Sequence, residues 1–178
     1  MKRLSEKEAI KLLKNYSKSE DSFKKVLAHS QAVKDVAFDI GKRVKNVDLN
    51  FIKSAALLHD IGRFQFGPND ADGIKHGVVG ADILRKEGLF EHALAAERHI
   101  GAGISQRDIE EQGLPLPMQD YMPVSKEEKI ICHADNLVFG DKVKSVDDAV
   151  ERFSKEVSKK IGKRVKKLAD DVEGMKND

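Results

Sequence analysis

Six ionisable side chains lie on predicted helix faces whose other residues are apolar. They are His29, His59, Asp60, His76, His99 and Asp135. An ionised carboxylate in an apolar setting is costly unless it is paired or coordinates a cation. Imidazole nitrogens and carboxylate oxygens, without thiolates, suit divalent transition metals such as Fe, Mn, Co, Ni or Zn. The six groups therefore predict a buried metal site.

The adjacent pair His59 and Asp60 is the densest part of this pattern. It ends a segment, from Phe51 to Ile61, that is apolar on nearly every side and predicts a fully buried helix. A hydrogen-bonded pair in the core would be the structural alternative. One four-coordinate ion would leave some of the six groups unused, whereas two ions sharing a carboxylate would use them all. Two such ions can clamp a phosphoryl group and hold a bridging water as the nucleophile.

Helices are the elements that must position these residues. Apolar residues recur at intervals of three and four nearly throughout, Trp is absent and Pro occurs four times, which favours an all-α fold. His29, for example, shares one face with Val26 and Val33. Ser125, with Glu128 three residues later, predicts a capping box at the start of the helix that carries Asp135. The helices predicted to carry the six groups span about 21–44, 51–62, 76–87, 89–100 and 125–138.

A single amphipathic helix is predicted at the end of the chain, over about 145–173. Its apolar stripe runs from Val146 to Val172 and must be covered by the core or by a second subunit. We expect the core, and a homodimer is left open. The basic residues between Lys155 and Lys167 are followed at once by acidic ones, so they predict a solvated face.

Composition limits the remaining classes of protein. The chain has 178 residues, with 32 Lys and Arg against 30 Asp and Glu, so a net charge of +2 gives no argument for nucleic acid as a partner. One cysteine excludes an intrachain disulfide framework. No signal region and no long apolar stretch were found, so we expect a cytoplasmic protein without a membrane anchor. A single domain over 1–178 is predicted, with its motif core at about 21–140.

The order of the candidate ligands resembles the signature of the HD-domain superfamily of metal-dependent phosphohydrolases. That signature is His, then His-Asp, then a distant Asp, and it reads here as His29, His59-Asp60 and Asp135, with the extension His-Asp-Ile-Gly at 59–62. The additional pair His76 and His99 is similar to the six-ligand, dinuclear branch. The resemblance implies a compact helical bundle with a buried metal site.

The resemblance also implies roles for individual residues. Arg63, just after the motif, would bind substrate phosphate and assist catalysis, and Asp60 would be catalytic as the ligand shared by two divalent ions. The first ion would be held by His29, His59, Asp60 and Asp135, and the second by His76 and His99 together with Asp60.

The function implied is hydrolysis of a phosphate ester or anhydride by a metal-bridged water. The substrate would be a nucleotide or another small phosphorylated molecule, and the residues around His76 and His99 look more like a bis-nucleoside tetraphosphate hydrolase group than cyclic-di-nucleotide phosphodiesterases. Two alternatives use the same ligands. One is a mixed-valent di-iron oxygenase, and the other is a regulatory module that binds nucleotide without turnover.

Other chemically active residues are interpreted as structural. We expect His92 to be solvated, His133 to point away from the site because it lies two residues from Asp135, and Cys132 to be a structural thiol. Glu97 and Arg98 are expected to form an exposed helical pair.

Overall fold

The fold is built almost wholly from helices, which confirms the all-α prediction. The structure is a computed structural model that describes residues 3–67 and 70–176. Within them, no helix is long and apolar enough to cross a membrane. The nine α-helices there are α1 Glu6–Tyr16, α2 Glu20–Gly41, α3 Leu49–Leu58, α4 His76–Lys86, α5 Phe90–Arg98, α6 Gln106–Gln112, α7 Lys126–Asn136, α8 Val146–Glu156 and α9 Lys159–Gly174. Two 3-10 turns, Ile61–Gln65 and Ala71–Lys75, and a hairpin of β1 Val138–Phe139 with β2 Lys142–Val143 complete the list.

Helix α3 joins the two large groups of core side chains. Phe51, Ile52 and Ala55 pack in a cluster with residues of α2, α7 and α9. Leu57 and Leu58, one turn later, pack in a second cluster with residues of α1, α4 and α5. Because the segment is apolar all round, it can be buried by both groups at once. The residues that follow α3 therefore emerge where the two clusters meet.

The end of α3 differs from the prediction. The helix stops at Leu58, and His59 and Asp60 lie in a turn before the first 3-10 segment. Gly62 explains why this turn packs so closely. A β-carbon at that position would lie 2.0 Å from the carbonyl oxygen of His76 and 2.6 Å from the backbone nitrogen of Gly80. The turn therefore packs directly against α4. A residue larger than glycine at position 62 would not fit there.

The single C-terminal helix predicted over 145–173 is wrong, because the chain forms α8 and α9 with a break at Val157 and Ser158. Ser158 has extended backbone angles, and its side chain accepts a hydrogen bond from the backbone N–H of Ile161, which begins a new helix. Gly162 then lets α9 approach α8 closely, since a β-carbon there would meet Ser154 Oγ at 1.9 Å. The apolar stripe of α9 packs on the core, as expected.

Two smaller features also differ from the sequence reasoning. The hairpin at 138–143 was not predicted. Ser125 caps α7, but Glu128 does not complete a capping box. Its carboxylate instead accepts hydrogen bonds from Arg98 at 3.0 Å and from the backbone N–H of Val124 at 2.8 Å.

Candidate metal centre

The six predicted side chains converge at one cleft of about 420 Å³, which is lined by all of them except the fully buried His59. His59, Asp60, His76 and His99 are buried, whereas the side chains of His29 and Asp135 are 17% and 16% exposed. They come from α2, the turn after α3, the start of α4, the end of α5 and α7. Their convergence is observed; their role as ligands stays a prediction.

Each of the four imidazoles is oriented through its Nδ1 atom. A carbonyl oxygen can only accept, so Nδ1 carries the proton and Nε2 is left with a lone pair when the ring is neutral. The four N–H donors and their carbonyl acceptors are His29 to Gly140 (2.6 Å), His59 to Ala56 (2.7 Å), His76 to Gly73 (2.6 Å) and His99 to Ala96 (2.7 Å).

Three of these four histidines are oriented in the same way, each at the end of a helix. His59 and His99 are the C-cap residues of α3 and α5, and His76 is the C-cap of the second 3-10 turn. Each donates to the carbonyl three residues earlier, in a last turn whose carbonyls lack helical partners. The helix end therefore fixes the ring, and Nε2 points into the cleft.

Asp60 lies between two pairs of these nitrogens. Its Oδ1 atom is 3.2 Å from His76 Nε2 and 3.4 Å from His99 Nε2. Its Oδ2 atom is 3.6 Å from the Nε2 atoms of both His29 and His59. A carboxylate placed in this way can give one oxygen to each of two cations, which is the geometry that a shared ligand requires.

Asp135 completes the first of the two groups. Its Oδ1 atom is 2.9 Å from His29 Nε2 and 3.4 Å from His59 Nε2. Burial opposes protonation of His29, but the carboxylates of Asp135 and Asp60 outweigh it and raise the pKa of His29 to about 9. A divalent cation would take the place of the proton that now joins His29 to Asp135.

Two buried polar atoms support a cation at this position. Among the described residues, His59 Nε2 and Asp60 Oδ1 have no hydrogen-bond partner. The Nε2 atoms of His76 and His99 are only 3.0 Å apart, so two neutral rings would turn their lone pairs towards each other. Coordination of metal would satisfy all of these atoms. The donor set thus fits divalent transition metals.

The charges around Asp60 keep it ionised despite its burial. Burial alone would raise its pKa, but the side chains of His59 and Arg63 hold the pKa of Asp60 well below its ordinary value. Arg63 Nε donates to Asp60 Oδ2 at 2.5 Å, and its side chain is half exposed in the wall of the cleft. By contrast, burial lowers the pKa of His99 to about 4, which favours the neutral ring that a metal needs.

Comparison with known proteins decides the family. The model of the HD domain matches residues 26–140, a range that includes all six candidate ligands. The chain belongs to the HD domain family. HD domains bind divalent metals, and the cluster of histidines and aspartates within the matched residues could hold one.

Relatives of this HD domain carry different names. An uncharacterised protein of Methanocaldococcus jannaschii is 42% identical over 174 residues, which are 94% of this chain and 96% of the relative. A tRNA (cytidine(56)-2'-O)-methyltransferase of Thermoplasma volcanium is 41% identical over 80% of this chain and 40% of its own length. An enzyme of the same name from Picrophilus torridus is 34% identical over 87% of this chain and 43% of its own. The chain therefore spans about two fifths of these two methyltransferases. No solved structure matches the chain.

Three predictions outside the centre have clear outcomes. His92 is not solvated: it is buried beside Phe51, and its Nε2 lies 2.9 Å from Ser54 Oγ. Glu97 is not exposed either, because Arg85 donates to its carboxylate at 2.5 Å from the neighbouring helix. Cys132 is a buried free thiol that donates to the carbonyls of His99 and Gly101, as a structural role predicts.

Several cleft residues were missed by sequence reasoning. Lys25 could have been found, because it lies four residues before His29 and hence on the same face of α2. Arg152 and Phe153 could not, because α8 carries none of the candidate ligands and only the tertiary fold brings it to the cleft. All three line the cleft together with five of the six candidate ligands, the exception being the fully buried His59.

Proposed function

We propose that this HD domain hydrolyses a phosphate ester or anhydride bond of a nucleotide or another small phosphorylated molecule, using two divalent metal ions. The observation that carries the proposal is the position of Asp60, whose two oxygens face two separate pairs of imidazole nitrogens. His29, His59, Asp60 and Asp135 would hold one ion, and His76 and His99 the other with Asp60 shared. When bound, the ions would supply charge stabilisation of the phosphoryl group and activation of a water nucleophile.

Other groups of the chain would bind the phosphate and orient the imidazoles. Arg63 would offset charge on the phosphoryl oxygens, since its guanidinium is charged, half exposed and next to the centre. The backbone carbonyls that hold Nδ1 would keep the four imidazoles in the ligand tautomer through the reaction.

The proposal is tested by phosphate release without oxygen. Protein loaded with Mn²⁺, Fe²⁺ or Co²⁺ is assayed anaerobically against nucleoside mono-, di- and triphosphates, cyclic nucleotides, bis-nucleoside tetraphosphates and a simple aryl phosphate. We expect release from at least one class, and its loss in Asp60→Asn. Asp82→Asn is the matched control, because this carboxylate is 62% exposed on α4 and pairs only at the surface among the described residues.

The alternatives give different results in the same assay. Oxygen consumption with an organic substrate, and no anaerobic release of phosphate, would contradict the proposal and favour the di-iron oxygenase. Binding of metal and nucleotide with no product would favour the regulatory module.

Arg63 gives a second test. Arg63→Gln is expected to lower kcat/KM about tenfold to a hundredfold, because a charge-assisted contact to phosphate is lost. Metal content should stay at the wild-type value, as measured by mass spectrometry. An unchanged kcat/KM would contradict the role of Arg63 as a phosphate-binding residue.

RNA is a second candidate class of substrate. Two relatives are named as tRNA methyltransferases, and this chain matches a part of each. Their names count weakly against the expectation that nucleic acid is not a partner. Adding tRNA that carries terminal phosphates to the panel tests this class: faster release from tRNA than from mononucleotides would favour it.

A further inference from the structure

Part of the cleft wall carries groups that the proposed chemistry does not use. Lys25 lies on α2, and Arg152 and Phe153 lie on α8. The cleft measures about 420 Å³, which is within the range of pockets that hold whole small molecules and far exceeds the needs of a phosphate ion. The cleft therefore has room for the rest of a substrate beside this part of the wall.

The two cations on this wall can be recruited by an anion. Lys25 pairs with Asp21 at 2.8 Å, and Arg152 Nε pairs with Glu156 at 3.0 Å. Both partners lie four residues away on the same helix and are largely exposed. Exposed pairs of this kind contribute little to stability, so a phosphate oxygen can replace the carboxylate at small cost.

The hairpin fixes Arg152 relative to the metal centre. The guanidinium carbon of Arg152 lies 4.6 Å from the centre of the Phe139 ring, a cation–π contact that helps to fix this cleft-lining side chain. The next residue, Gly140, accepts the Nδ1–H of His29 at 2.6 Å. One short hairpin thus positions both a candidate ligand and a cation, which sets the distance between them.

An apolar and aromatic space continues from this wall. Phe153 approaches Gly101, where a β-carbon would lie 3.5 Å from its ring and where a positive φ of 60° favours glycine. A second cleft of about 100 Å³ shares Ile100, Gly101 and Phe153 with the first, and its further lining is mostly apolar. If Lys25 and Arg152 bind the phosphate of a substrate, the organic group attached to that phosphate can therefore lie next to the ring of Phe153.

We propose that Lys25, Arg152 and Phe153 form a recognition subsite for a nucleotide, in which the two cations contact phosphate and Phe153 stacks on the base. The inference rests on the proposed function and names the substrate class of that site. Aromatic side chains bind bases by stacking without selecting strongly among them. Because α8 lies outside residues 26–140, this subsite is a property of the chain beyond the matched HD domain.

Direct binding tests the subsite separately from turnover. The full-length protein, as isolated, is titrated calorimetrically with adenosine 5'-thiophosphate, which resists hydrolysis, and with inorganic phosphate. Arg152→Gln should raise the Kd of both ligands about tenfold, as expected for loss of a charge-assisted contact. Phe153→Leu, which keeps an apolar side chain in the core, should raise the Kd of the nucleotide about tenfold and leave that of phosphate unchanged.

Lys155→Gln is the matched control for charge, because Lys155 lies on α8 outside the cleft and pairs with Glu151 at the surface. It should bind both ligands as the wild type does. Circular dichroism and metal content must match the wild type in all three variants, which separates loss of recognition from loss of folding. Arg152→Lys, which keeps the charge, should recover part of the affinity.

The outcomes distinguish the proposed subsite from the proposed hydrolase activity. Binding that depends on Arg152 and Phe153, without release of phosphate from any substrate, would support the subsite and contradict the proposed function. Release of phosphate together with wild-type binding in Arg152→Gln and Phe153→Leu would overturn the subsite alone. Absence of binding by the wild type at millimolar concentrations would also overturn it.

Discussion

His59 and Asp60 are neighbours in the chain but have different surroundings. The ring of His59 is held from behind by the carbonyl of Ala56, whereas Asp60 has no such anchor and is fixed by the groups around it. The direction of an imidazole is thus set locally by the helix end. The direction of the carboxylate is set by four other segments of the chain. The orientation of Asp60 therefore depends on contacts between segments, which a sequence pattern within one helix does not report.

His92 provides a prediction at the same scale. Burial, with a smaller effect of Arg3, lowers its pKa to about 4 from an ordinary value of 6.5. Between pH 4 and pH 6.5, His92 is therefore protonated in the unfolded chain and neutral in the folded chain. Stability is full above pH 6.5 and is lost as the pH falls towards 4, by about 3 kcal/mol from this group.

The measurement is urea unfolding at neutral pH and at about pH 5. His92→Gln removes the titration, so its free energy of unfolding should fall less over this interval than that of the wild type, although it starts lower because the contact with Ser54 is altered. Equal pH dependence in the two proteins would contradict the assignment of a buried neutral ring.

At the scale of elements, the centre is built from the ends of helices and not from their middles. Helices α3 and α5 and the second 3-10 turn each finish at a histidine that satisfies its own last-turn carbonyl. Aligned peptide dipoles also make a helix C-terminus favourable for a bound cation. Short helices that stop near one point can therefore supply several ligands without long loops.

Gly62 tests this arrangement of elements. Gly62→Ala would place a methyl group 2.0 Å from the carbonyl oxygen of His76, so α4 would have to move away from the turn that carries Asp60. We expect the free energy of unfolding to fall by about 3 kcal/mol and metal content to fall with it. Urea unfolding and mass spectrometry measure the two effects.

Gly67→Ala is the control, because a β-carbon at Gly67 would meet nothing within 4 Å. It should leave both stability and metal content unchanged. If Gly62→Ala behaved in the same way, the close packing of the turn against α4 would not be needed for the centre.

At the scale of the whole molecule, α8 and α9 are joined to the rest by both apolar and polar contacts. Val165, Leu168 and Val172 belong to the core cluster that includes α2 and α7. Arg164 donates to the buried carboxylate of Asp108 on α6 at 2.6 Å and to the carbonyl of Gly103 at 3.0 Å. These contacts support the prediction that the chain is a single domain, which stays a prediction.

Asp108→Ala should weaken the whole fold. Removing this carboxylate leaves the charge of Arg164 poorly paired in a site that is 19% exposed, and the free energy of unfolding should fall by about 3 kcal/mol. Arg107→Gln, next to it in sequence and largely exposed, should change stability little. One cooperative urea transition, shifted only in Asp108→Ala, is the expected result. Loss of α9 alone, seen as two transitions, would contradict a single domain.

The helices and the convergence of six side chains could be predicted from the sequence, because the periodicity of apolar residues indicates which face of each helix is buried. It missed features that depend on contacts between segments. The turn at His59 is followed by Gly62, which packs closely on α4, and the break before α9 occurs where Ser158 caps a new helix. His92 was misread because its partners, Phe51 and Ser54, lie on another helix. A pattern within one helix cannot show which side a neighbour will cover.

The most direct test is the metal content of the untagged protein, measured by mass spectrometry after anaerobic purification and reloading. We expect two divalent ions per chain in the wild type, about one in His76→Ala, and less than one in Asp60→Ala, because that carboxylate would serve both ions. Two ions retained by Asp60→Ala, or a single ion in the wild type that is unaffected by His76→Ala, would contradict the dinuclear centre with a shared aspartate.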